Sequence, residues 1–275
     1  MPLRPRNWRL VLLVLLLVTA PIVIGYLWMV LGSFNTRVHG ITPVGEWNLD
    51  NWRFLWEPLG RRPPIWTAVF NTLLFAGGVA ALVVVVSSMA AYAISRLHFP
   101  GRGWFLGLVL VLHAFPAVSL LIASYYVLAV LGLFDTLIGV VLVMTSFMMP
   151  FGTWLLKGFF DGISWEMEMA ALVDGASRWT IFRRVALPLV KPGLFALAVF
   201  TFLVAWGEFI LPYTFIVSGR TWTLSIYLQS MLGDFERADY GLVAAVGLFY
   251  MLPAVAVFLL GQRYLLDMYF GGSKG

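Results

Sequence analysis

Six stretches of this chain, at residues 10–31, 66–94, 104–131, 136–156, 193–217 and 240–260, carry a single ionisable carboxylate among them, Glu208, and no lysine or arginine. Each is about as long as an α-helix must be to cross a hydrocarbon core, roughly 20 residues, whereas membrane-barrel strands are roughly 9 to 11 residues with strict alternation. Composition agrees: 61% of the 275 residues are hydrophobic and 11% charged, against about 25% charged in a soluble domain. The expected fold is therefore an all-α membrane protein, one transmembrane domain over residues 1–275 with six spans and a polar loop at 157–192. Six crossings place both termini on one side.

Basic residues choose the side. With the termini in the cytoplasm, Arg37, Arg53, Arg61, Arg62, Arg220 and Arg237 lie outside, while the other twelve, including Arg4, Arg6, Arg9, Arg96, Arg102 and Lys274, lie inside. That excess follows the positive-inside rule. The net charge of +5 is a topology signal, since the charges are scattered over short loops with no basic helix or aromatic platform to read a nucleic acid. The first apolar run continues past Trp28, longer than a signal-peptide core of about 7 to 15 residues, so an uncleaved first span is expected.

The residues exclude several chemistries. Without cysteine there is no disulfide framework or thiolate metal site. His39, His98 and His113 have no zinc spacing, and a Gly-Lys dipeptide is absent, so no Walker-type phosphate loop exists. No metal, cofactor or catalytic residue is expected in the chain itself, and its energy must come from elsewhere.

A charged side chain deep in a span costs about 2.5 to 3.5 kcal/mol on insertion scales and faces protein or water. Two roles stay open for Glu208: lining a translocation path beside Trp206 and Tyr213, or pairing across helices. His113, Asn71, Tyr125 and Tyr126 are further polar groups that could line a path, with packing or interface positions the plainer account. Pro21, Pro116, Pro150, Pro212 and Pro253 can kink or interrupt their helices. The loop at 32–64 bears Trp47, Trp52 and Trp56, read as an aromatic belt in preference to a partner platform. The segment at 218–239 either dips back toward the membrane or lies flat on it.

The one long polar passage of the second half runs from Trp165 to Pro192. Glu168, Ala170, Ala171 and Leu172 suit a short helix that Asp174 and Gly175 end, and Trp179 to Val185 suit a second helix that Pro188 and Pro192 stop. This passage closely resembles the cytoplasmic coupling loop, the EAA loop, of permease subunits in binding-protein-dependent ABC importers. Residues Ser87 to Arg102, Asn71-Thr72-Leu73, Gly132 to Thr136 and Trp206-Gly207-Glu208-Phe209 are similar to maltose-type, MalG-like sugar permeases, so the likeness covers roughly 71–212.

The resemblance implies a type I importer permease of a bacterial or archaeal plasma (inner) membrane that forms half of a carbohydrate path, and partners that comprise a second related permease, two ATPase subunits holding ATP and Mg, and a soluble solute-binding protein. It implies ATPase coupling by Glu168, Ala170, Ala171, Asp174, Gly175, Ala176, Phe182 and Pro188. It offers Glu208, Trp206, Tyr213, Asn71 and His113 as path residues. Two positions depart from the pattern: Met169 stands where the family has Glu, which leaves Glu168 as the expected salt-bridge partner of the ATPase, and Gly207 stands where sugar permeases have Asn. The competing readings are an importer of a non-sugar solute, an ion-coupled secondary transporter, and a non-transporting membrane scaffold.

Overall fold

The computed structural model describes residues 8–35, 38–39, 42–43, 45–232 and 239–270. Arg4, Arg6, Arg37, Arg237 and Lys274, which entered the topology argument, lie outside the described residues. The regular elements of the described chain are helices apart from a two-residue antiparallel pair, β1 (Val38–His39) with β2 (Thr42–Pro43). Read from sequence as one domain, it divides by contact into two compact units. One holds 1–65 and 227–252, the other 66–226 and 253–275. Each is assembled from two separated chain segments, so no linker marks the division.

Among the described residues, four helices are each long and apolar enough to cross a membrane: α1 (Trp8–Ser33), α2 (Ile65–Arg96), α5 (Leu137–Asp161) and α12 (Tyr240–Phe270). Pro21, Pro150 and Pro253 sit inside α1, α5 and α12 without ending them. The third expected span, 104–131, is instead two helices, α3 (Arg102–His113) and α4 (Leu121–Val130), parted at Phe115-Pro116. Pro116 lacks a donor and pushes the residue before it out of helical geometry. The fifth, 193–217, is α9 (Lys191–Trp206) followed by α10 (Ile210–Phe215).

In the first unit the tryptophan-bearing loop is a small folded cap. The Asn35 side chain brackets Gly45, donating to its carbonyl at 3.0 Å and accepting from its N–H at 2.6 Å, and Asn51 donates to the Asn35 carbonyl at 2.8 Å. Phe54 is buried against Phe249. Trp52 stacks between Phe34 and Phe54, so among the three belt candidates Trp47 and Trp56 are exposed and Trp52 is packed.

In the second unit α2, α5 and α9 approach closely through glycines. A Cβ on Gly152 would lie 2.7 Å from Ser87 Oγ, and one on Gly193 2.6 Å from the Phe159 ring. α5 starts on a Thr136 cap, whose hydroxyl accepts from Gly139 N–H at 3.1 Å. It runs past the expected end at 156 to Asp161. The polar loop then forms α6 (Trp165–Val173), α7 (Arg178–Ile181), a π-helical turn at Phe182–Ala186, and α8 (Leu187–Leu189). The second helix ends at Leu189, between Pro188 and Pro192 as the sequence pattern suggested, with Pro188 itself inside the last turn. The π turn has already offset the i to i−4 ladder before it, and Pro192 occupies the first turn of α9, where a missing donor is harmless. The bend from Arg178–Leu189 to Lys191–Trp206 is 75°. In the later segment, Leu224 at the start of α11 (Leu224–Gln229) donates its N–H to Thr72 on α2 at 2.8 Å and is buried.

Candidate functional site

Successive side chains on a helix turn by about 100°, which puts Glu168, Ala171 and Leu172 on one face of α6 and Glu166, Met169, Ala170 and Val173 on the other. The structure follows that division. Val173 is 84% exposed and Glu168 0%. The expected ATPase-facing carboxylate thus points inward, a correction to the sequence reading. Its Oε1 accepts from Arg96 Nε at 2.6 Å and its Oε2 from the Tyr92 hydroxyl at 3.2 Å. The Arg96 guanidinium also donates to the Phe160 carbonyl at 2.7 Å, the Ile163 carbonyl at 3.0 Å and the Ser95 hydroxyl at 3.1 Å. The Trp165 ring covers it, 5.8 Å from centroid to guanidinium carbon. Ser95 donates to Asp161 at 2.6 Å, and Asp161 pairs with Lys157 one helical turn back. Arg96 is itself 7% exposed, so both charges are removed from solvent and each is compensated.

The turn after α6 is closed by its own backbone. Gly175 has φ +83, and its N–H meets the Leu172 carbonyl while that of Ala176 meets the Ala171 carbonyl, both at 3.0 Å. This paired closure is the Schellman arrangement, which needs a left-handed residue at that position. No atom lies within 4 Å of a Cβ built on Gly175, so glycine is required by conformation and not by space. Ser177 then caps α7, accepting from Thr180 N–H at 3.2 Å. The result is a knuckle whose tip, Val173, Asp174 and Gly175, stands in the open, with Ala170 exposed and Ala171 and Ala176 half-buried.

Phe182, expected among the coupling residues, faces the interior. It packs against Tyr92, Trp179 and Phe160 at ring-centroid distances of 5.0, 5.4 and 6.4 Å. Pro188 is exposed. The outward face carries Met169, Val173 and Trp179, bordered by Glu166, Asp174, Arg178, Arg183 and Arg184. Sequence reasoning missed Arg96, Tyr92 and Trp165 as members of this site. No local signal marked them, because Arg96 ends an apolar span where the positive-inside rule expects a cation and Glu168 lies in a polar passage.

The same unit holds a cavity of about 590 Å³ between the broken helices, lined by His113, Phe115, Met144, Ser146, Phe147, Met148, Glu208 and Leu211 among others. Of the five path candidates, Glu208 and His113 line it. Glu208 also accepts the Leu211 N–H at 3.0 Å and so caps α10, while its carbonyl accepts the Ser225 hydroxyl at 3.0 Å. His113 stacks on Phe151 at 6.2 Å. Trp206 is 2% exposed and stacked on Phe202, Tyr213 packs on Phe209 at the surface, and Asn71 donates to the Arg220 and Trp222 carbonyls at 2.9 Å. These three line no part of the cavity: Trp206 packs into the core, and Asn71 pins the segment before α11. Among the described residues no three His, Asp or Glu side chains converge to hold a metal ion.

Residues 83–266 match the family described as binding-protein-dependent transport system inner membrane component. The chain is similar to the trehalose transport system permease protein SugB of Mycobacterium tuberculosis, 32% identical over 76% of this chain and 77% of that protein. It is likewise similar to the maltodextrin transport system permease protein MdxG of Bacillus subtilis, 30% identical over 88% of this chain and 86% of the other. Its fold is similar to that in the crystal structure of a bacterial ABC transporter involved in the import of the acidic polysaccharide alginate. There the TM-score is 0.79 at 20% identity, over 96% of this chain and 99% of the other.

Proposed function

Because the chain belongs to the family of binding-protein-dependent transport system inner membrane components, it is a membrane permease subunit of an ABC importer, and we propose that it forms half of a path for a carbohydrate. The observation that carries the coupling role is the knuckle: a self-capped protrusion with an exposed tip and a root locked by buried charges. Carbohydrate cargo is supported by the names of the relatives, a trehalose and a maltodextrin permease. The cavity suits it, with aromatic and thioether walls for sugar rings and Glu208, His113 and Ser146 for hydroxyls.

In this reading the six spans form one permease domain with cytoplasmic termini, α3 with α4 and α9 with α10 making the two broken crossings. A second related permease completes the path. Two ATPase subunits bind ATP and Mg and receive the knuckle of each permease, and a soluble binding protein delivers the solute. No catalytic group is required of this chain. Closure of the ATPase pair displaces the knuckle and tilts the spans between inward-open and outward-open states, each ligand acting through its differential affinity for the two.

The test is uptake by proteoliposomes containing the chain with its co-encoded partners, using labelled trehalose and maltodextrin against leucine and phosphate. ATP-dependent carbohydrate entry is expected. Entry of leucine or phosphate alone overturns the cargo, and entry driven by a proton or sodium gradient without the ATPase overturns the mechanism.

A further inference from the structure

We infer that Arg96 and Glu168 are positioning residues for the power stroke: their buried pair makes the knuckle and the adjoining ends of α2 and α5 one rigid body. This rests on the coupling role proposed above. A buried ion pair is weak evidence for stability, since apolar side chains of similar volume hold a core together as well or better. What it adds is direction. A planar guanidinium fixes its partners in a fork geometry, whereas apolar surfaces can slide past one another.

The donors of Arg96 join four separate places. Nε reaches Glu168 on α6, Nη1 reaches Ser95 on α2, and Nη2 reaches the Phe160 carbonyl on α5 and the Ile163 carbonyl in the link between α5 and α6. Ser95 extends the set to Asp161, and Tyr92, one turn before Arg96, holds the second oxygen of Glu168. Phe182 seats α7 against Tyr92 and Phe160, on the same elements. A push on the exposed tip at Val173 therefore reaches α2 and α5 through directional bonds and not through the exposed side of α6.

Two measurements on the complete transporter test this. The chain has no cysteine, so with partner cysteines replaced, spin labels at Met167→Cys, on α6 outside the docking tip, and Val85→Cys report the knuckle-to-α2 distance alone; both positions are exposed, 45% and 54%. The unsubstituted pair is expected to give one narrow distance that is the same with ADP and with ATP plus vanadate, and Glu168→Gln to broaden it. The second readout is maltodextrin moved per ATP hydrolysed, expected to fall about tenfold in Glu168→Gln, within the usual span of coupling free energies. A loss of assembly alone lowers uptake and hydrolysis together and leaves that ratio unchanged. If Glu168→Gln does not assemble, Tyr92→Phe, which removes one bond and uncovers no charge, is expected to change both readouts in the same directions by less. An unchanged ratio or an unchanged distance distribution overturns the inference. The distance measurement needs nucleotide and no cargo, so failure of the carbohydrate reading does not affect it.

Discussion

At the knuckle, Arg96 and Glu168 commit their hydrogen bonds to each other and to the ends of α2 and α5, whereas Glu208 and His113 face a volume of about 590 Å³ with aromatic and methionine walls. The backbone breaks differ in the same way. The turn at Gly175 is sealed by two backbone bonds, while the break at Gly207–Phe209 leaves Glu208 to cap α10 with its own side chain. One region uses buried charge to fix geometry. The other keeps polar groups at the wall of a space, where a solute can compete for them.

The contrast predicts unequal costs of truncation. Arg96→Ala strands a buried carboxylate and is expected to destabilise the purified transporter by about 3 to 5 kcal/mol. Glu208→Ala loses a helix-capping acceptor, about 1 kcal/mol, and its main effect should be on uptake. Unfolding of the two variants in graded denaturing detergent measures the difference, and equal losses break the comparison. The glycines sharpen it at a smaller scale. Gly175→Ala forces a left-handed alanine and should cost about 1 to 2 kcal/mol. Gly207 has φ −81 and only ordinary contacts for a Cβ, so Gly207→Ala should be neutral or stabilising by up to about 1 kcal/mol. Gly175→Pro, whose ring cannot adopt φ +83, is expected to leave the chain inserted and to abolish both uptake and solute-stimulated hydrolysis. Normal transport by that variant removes the knuckle from the mechanism.

The long apolar runs showed where α1, α2, α5 and α12 would be, because lipid demands both length and internal satisfaction of the backbone. Their ends were less legible. α5 continues to Asp161 because Lys157 and Asp161 pair across one turn, and a reading that stops at the first charge stops too early. Proline was visible but ambiguous: Pro116 parts two helices, while Pro21, Pro150 and Pro253 ride inside intact ones. Neighbours decide which, and neighbours are not local. The same holds for the site. Gly175 could be read from its own surroundings, a glycine just past a short helix. The orientation of Glu168 could not, since its partner lies 72 residues away and the choice between inward and outward is made by α2.

The smallest expected effect concerns Asp135, which ties the link between α4 and α5 to the chain leaving α10, a helix that lines the cavity. Asp135 has φ +60, which aspartate tolerates better than most residues, and its N–H donates to the Phe215 carbonyl at 3.0 Å. Its carboxylate accepts the Ser218 hydroxyl, the Ser218 N–H at 2.8 Å and the Val217 N–H at 2.7 Å. Those donors, the Ser218 hydroxyl foremost, hold the carboxyl below its ordinary range. A depressed folded-state pKa means that the clasp contributes fully above the unfolded value and loses its contribution as pH falls through the folded one, here below about pH 4. Hydrogen exchange at Val217 and Ser218 should therefore accelerate in that window relative to Asp135→Asn, in which the titrating group is absent. The knuckle amides of Gly175 and Ala176, whose acceptors are carbonyls, should show no such step. If Val217 and Ser218 also show none, the Phe215 carbonyl alone holds the clasp, and the cavity end is as independent of side-chain charge as the turn at Gly175.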